Sequence, residues 1–102
     1  MIITIRRRFA RLEYEYSQHA VDQSIRRRIL THEVKEVIEV DEVIENYPAD
    51  KYGPSCLIFG LTADRRPLHM HCSYPERNPV KVITLYQPDP NEWADFRRRR
   101  PQ

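Results

Sequence analysis

Glycine is nearly missing: the 102 residues contain two, Gly53 and Gly60. Phosphate-cradling loops and dinucleotide fingerprints need closely spaced glycines so that backbone can approach the phosphates, and this scarcity excludes both. Cysteine is as scarce, and Cys56 and Cys72 lack the paired spacing of a zinc finger. There is no His-Glu-x-x-His helix motif and no Gly-x-Ser-x-Gly elbow. No apolar run approaches the roughly 20 residues of a membrane-crossing helix. The opening Met1-Ile2-Ile3-Thr4-Ile5 is short for a signal peptide, and its arginines follow the apolar stretch instead of preceding it. We therefore expect a cytoplasmic protein with no membrane partner, no cofactor and no metal. Its two cysteines are then expected as small buried strand residues, a disulfide between neighbouring strands being the lesser alternative.

What is present suits one packed domain over residues 1–102. Hydrophobic residues make up 40% and charged residues 31%, enough for a core and for a well-solvated surface. The net charge of +2 hides an asymmetry. Residues 1–28 balance to +4, residues 29–50 to −6, and residues 51–102 to +4, ending in a basic tail over 97–102. Basic ends can attract nucleic acid, or they can simply solvate a surface.

Local patterns predict two helices followed by strands. Arg11 to Tyr16 alternates apolar and polar, which suggests a short strand or extended lead-in. Ser17 is a candidate N-cap for a helix from Gln18 to about Arg28, with Ala20, Val21, Ser24 and Ile25 inward. Thr31 is a candidate N-cap for a second helix ending near Val40, whose apolar stripe is Val34, Val37 and Ile38. Strands are predicted over 43–47, 55–62, 67–74 and 80–86, and short links between the last three predict antiparallel hairpins. The fold class is α+β: two N-terminal helices packed on an antiparallel sheet of about four strands. Trp93 and Phe96 are expected to pin the proline-broken tail to the body.

Two clusters could carry chemistry. In Leu68-His69-Met70-His71-Cys72, alternation puts Leu68, Met70 and Cys72 on an apolar face and His69 and His71 on the other. The same rule sends Ile83 and Leu85 to the core and leaves Val82, Thr84 and Tyr86 opposite. Two imidazoles and a phenol would then share one open sheet surface. On the first helix, Gln23 and Arg26 fall within about 40° of His19 around the axis, with Arg27 about 80° away. A solvated sheet face and a polar helix face explain the same patterns without chemistry. His69, His71 and His19 could ligate a metal, but no carboxylate is placed to complete such a set.

The ordered pieces Ser17-Gln18-His19-Ala20, Arg27, Asn46-Tyr47-Pro48, Pro54-Ser55-Cys56-Leu57, Arg66-Pro67-Leu68-His69, Val82-Ile83-Thr84-Leu85-Tyr86 and Pro88-Asp89-Pro90-Asn91-Glu92-Trp93 resemble the bacterial domain of unknown function 4258 family over about residues 12–100. That resemblance implies kinship with RelE-like and barnase-like ribonuclease toxins, which cut RNA without a metal. It thereby implies an endoribonuclease, the toxin of a toxin–antitoxin pair, with RNA (on the ribosome or free) and a cognate antitoxin as partners. His19 and His69 would be the proton-transfer pair, Arg27 would hold the phosphate, and Tyr86 would orient substrate or donate a proton. Arg26, Gln23 and His71 would contact substrate. Relatives commonly carry arginine where this chain has Gln23, a departure that weakens phosphate binding unless Arg26 substitutes. The alternative is a non-catalytic RNA- or protein-binding module.

Overall fold

A nine-residue helix precedes the elements expected from the sequence. Ile2, Ile5 and Phe9 recur at helical spacing, and α1 (Ile2–Ala10) buries Ile5 and Phe9 completely or nearly so. This helix is absent from the elements that the sequence pattern predicts. The computed structural model describes residues 1–101. After α1 come β1 (Tyr14–Tyr16), α2 (Gln18–Arg26), α3 (Thr31–Val40), β2 (Glu42–Tyr47), β3 (Ser55–Leu61), β4 (Pro67–Ser73) and β5 (Val80–Tyr86). A small hairpin of β6 (Trp93–Ala94) and β7 (Arg98–Arg99) closes the described chain.

The sheet has five strands in the order β1-β5-β4-β3-β2. The β2 to β5 part is antiparallel, and among its last three strands the short links predicted this. β1 adds a parallel edge beside β5, so the sheet is mixed. The connection from β1 to β5 runs through two helices and three strands, long enough for a parallel return.

Local chemistry explains the helix ends. Ser17 caps α2: its hydroxyl accepts the Ala20 amide at 3.0 Å and donates to the Ile83 carbonyl at 2.7 Å. Leu30, not Thr31, occupies the N-cap position of α3, and the Glu33 carboxylate accepts its amide at 2.9 Å. At the other end of α3, the Arg6 guanidinium donates to the Ile38 and Asp41 carbonyls and to Asp41 Oδ1, at 3.2, 2.7 and 3.0 Å. A side chain of α1 thus satisfies carbonyls that α3 leaves unpaired.

The three helices cover one sheet face. Ala20, Val34, Val37 and Ile38 pack with Cys56, Ile58, Leu68, Met70, Cys72, Val80, Val82 and Leu85. Ile25, expected inside, is 71% exposed in the last turn of α2. Cys56 and Cys72 lie directly opposite each other across β3 and β4, both buried and both free.

A bulge in β5 corrects the predicted facing. His71 pairs with Thr84 while the next residue, Cys72, pairs with Val82, leaving Ile83 as the extra residue. Alternation breaks there, so Val82 faces the core and Ile83 does not, whereas Leu85 remains inside.

Candidate active site on the uncovered face of the sheet

The face turned away from the helices carries His69, His71, Thr84 and Tyr86, the grouping predicted by alternation. The C-terminal hairpin folds over half of it. Trp93 is buried edge-on against His69, with ring centroids 4.5 Å apart. Phe96 lies 6.0 Å from Phe59, and the Arg97 guanidinium sits 4.7 Å above that same ring. Arg97 also pairs with Glu42, and Arg99 donates to Glu45 at 2.9 Å.

His69 is therefore not on an open surface. It has no exposed area and is ringed by Phe59, Tyr86 and Trp93. Its Nε2 donates to the Phe96 carbonyl at 2.6 Å, since a carbonyl can only accept. Nδ1 then accepts from the Tyr86 hydroxyl at 3.2 Å. Burial holds this imidazole below its ordinary pKa, although the Phe96 carbonyl opposes the shift. Both nitrogens of a neutral ring are used inside the protein. Burial likewise pushes the Tyr86 phenol up to about 12.

The half left open is a cleft of about 510 Å³ lined by Tyr47, Asp50, Leu57, His71, Thr84, Tyr86 and Arg99. His71 projects into it from the centre of β4, and the Tyr47 ring meets the imidazole edge-on at 5.5 Å. His71 Nε2 lies 2.8 Å from Ser55 Oγ, and Ser55 Oγ lies 2.8 Å from Asp50 Oδ2. The hydroxyl hydrogen holds Asp50 below the usual carboxylate range. Burial holds His71 low, with Asp50 opposing. On the far wall, burial pushes the Glu45 carboxyl up, but hydrogen bonds from Arg99 and Tyr47 outweigh it and keep it low.

The structure brings His71 and Tyr86 to one cleft, with His69 behind Tyr86. It does not bring the α2 cluster there: His19, Gln23, Arg26 and Arg27 are absent from the lining. His19, Arg26 and Arg27 are exposed on α2 and its C-cap, and Gln23 accepts the Arg27 Nε at 2.6 Å. Gln23 is thus a partner of Arg27 on the helix surface. Sequence reasoning missed Tyr47, Asp50, Ser55 and Arg99. Ser55 is the diagonal neighbour of His71 across the ladder, because His71 pairs with Leu57, and no sequence pattern reveals that register. Among the described residues no group of three or more histidine, cysteine or acidic side chains is arranged to hold a metal ion, and no helix is long and apolar enough to cross a membrane.

A five-stranded mixed sheet with helices on one face and a histidine-lined cleft on the other defines an α+β domain with a candidate site on its sheet face. The sequence profile of the family described as Domain of unknown function (DUF4258) matches residues 16–87, and the chain belongs to that family. No curated protein and no solved structure matches the chain. Helix α1 and the C-terminal hairpin both lie outside the matched residues.

Proposed function

We propose that the protein is an endoribonuclease that cleaves RNA at the sheet-face cleft without a metal, His71 being its proton-transfer group. The observation that carries this reading is a single accessible imidazole at the centre of an open cleft, with a guanidinium, two phenols and a hydroxyl facing the same space. Strand cleavage needs a base to take the 2′-OH proton and cationic or hydrogen-bonding groups for the charge that grows on the phosphorus oxygens. His71 takes the proton, and the 2′ oxygen then attacks phosphorus. The 5′ oxygen leaves with a proton from water, giving a 2′,3′-cyclic phosphate and a 5′ hydroxyl. Arg99, Thr84 and Tyr86 line the space for the phosphate, which Arg99 would reach by giving up its pairing with Glu45, and Tyr47 offers a ring for a base to stack on. This assignment moves the proton transfer from His69, enclosed as it is, and from His19, outside the cleft. The toxin role, the cognate antitoxin and the kinship with RelE-like enzymes rest on the resemblance in sequence.

The purified chain incubated with single-stranded RNA and a chelator should yield fragments ending in cyclic phosphate. His71→Ala should lower the rate about a hundredfold or more, with the fold intact because the side chain is partly exposed. His69→Ala should instead lower stability. Intact RNA from a folded wild-type protein overturns the ribonuclease. The non-catalytic binding module would then take its place, a reading favoured by Arg99 being already paired with Glu45.

A further inference from the structure

The cleft holds one arrangement that the proposed reaction has not used. Ser55 is almost fully buried beneath the cleft, in the first position of β3. Asp50 sits in the turn between β2 and β3, where its Oδ1 accepts the Tyr52 amide at 3.4 Å and its backbone is held by bonds to Tyr47 and Gly53. That leaves Oδ2 for Ser55, at 2.8 Å. Direct contact between Asp50 and the imidazole is longer, at 4.0 Å, so the hydroxyl is the link.

We propose that Asp50 and Ser55 are positioning residues that dictate which nitrogen of His71 carries the proton. An ionised carboxylate can only accept, so the Ser55 hydrogen points to Asp50. The Ser55 oxygen therefore offers a lone pair to the ring, and Nε2 must be the protonated nitrogen. Nδ1, which makes no hydrogen bond among the described residues, is left as the basic nitrogen. An imidazole whose second nitrogen is fixed by a hydroxyl that a carboxylate orients is held in one tautomer and one orientation. The other titratable or charged groups around the ring are Tyr47 from β2, Tyr86 from β5 and Arg99 from β7. Arg99 is turned to Glu45, which leaves Asp50 as the anion nearest the imidazole. The inference rests on the ribonuclease reading for its catalytic meaning, but the proton's location does not.

The test is nitrogen NMR of the histidine rings in the full chain across pH, combined with the pH profile of RNA cleavage. Wild-type His71 should be the Nε2–H tautomer when neutral. In Asp50→Ala the freed Ser55 hydroxyl can donate to the ring, so the population should move toward Nδ1–H. The protonation midpoint should also fall, because an anion has been removed. Ser55→Ala should leave a mixture of tautomers. His69 signals should stay unchanged and report an intact fold. Should Ser55→Ala not fold, Asp50→Ala on the turn carries the same comparison. If cleavage occurs, Asp50→Ala should lower kcat more than it changes KM, and the acid limb of its profile should move to lower pH. A wild-type Nδ1–H tautomer, or tautomers unchanged in both variants, overturns the proposal, as does an unmoved acid limb in a cleaving Asp50→Ala. Expected nitrogen shifts with intact RNA would remove the ribonuclease and leave the positioning pair standing.

Discussion

Two histidines two residues apart on one strand meet opposite fates, and burial decides which can do chemistry. His69 is enclosed by three aromatic rings with both nitrogens bonded inside the protein. His71 keeps one nitrogen free in a cleft. Asp41 shows the same competition for a carboxylate. Its side chain is buried, its Oδ2 has no hydrogen-bond partner among the described residues, and burial raises its pKa from 3.8 to about 6 despite the Arg6 ion pair. An acid whose pKa is raised on folding gives stability that is full below 3.8 and lost as pH rises through about 6. Asp41→Asn removes that titration. The unfolding free energy of wild type relative to Asp41→Asn should therefore rise by about 3 kcal/mol between pH 7 and pH 3. His69 and His71 act in the opposite sense, their contribution being full above pH 6.5 and lost as pH falls through their lowered values. They are common to both proteins and cancel. Urea titrations of the pair at several pH values measure the difference, and a difference independent of pH would show that Asp41 titrates normally.

Elements were legible in the sequence where one rule governs them. Val34, Val37 and Ile38 gave α3, and the strict alternation of Leu68 to Cys72 gave β4 with its faces. The rule failed where tertiary structure interrupts it. The β5 bulge reverses alternation at Ile83, and nothing local distinguishes that residue from Val82. α1 was hidden because its stripe of Ile2, Ile5 and Phe9 is interrupted by arginines, one of which clamps the end of α3. The parallel pairing of β1 was likewise beyond local pattern. Gly60 illustrates an element-level requirement that composition alone cannot show. It is the point where β3 lies against α3: an added Cβ would stand 2.8 Å from Val37 Cγ1 and 2.9 Å from the Val37 carbonyl oxygen. The backbone atom cannot be moved by a change of rotamer, so Gly60→Ala must push α3 away from the sheet. We expect a loss of about 1–3 kcal/mol, read as a lower denaturant midpoint. An unchanged midpoint would mean that α3 is not held against β3 at this point.

Across the whole molecule the charge asymmetry of the sequence is answered internally. Arg97 and Arg99 of the basic tail pair with Glu42 and Glu45 in the acidic stretch, so the tail is a strap across the sheet and not a free basic arm. The candidate site was only half legible for this reason: alternation gives the face on which His69 stands, but not what lies over it. The anchor of the strap can be chosen by magnitude. Exposed ion pairs contribute about 0–1 kcal/mol each, whereas truncating a buried aromatic such as Trp93 costs about 3–5 kcal/mol. Trp93 also supplies one wall around His69, and the Phe96 carbonyl that binds His69 Nε2 follows three residues later. Trp93→Ala should therefore release the strap while leaving the helix-side core of Ile58, Met70 and Leu85 in place. Water would reach His69, and its protonation midpoint should rise from its depressed value toward 6.5. Arg99 would leave the cleft wall with the strap. NMR titration of His69, with hydrogen exchange at the Arg97 and Arg100 amides that bond Ala94 and Glu92, reads both effects. Unchanged His69 titration with protected strap amides would show that the two arginine pairs, and not Trp93, hold the tail in place.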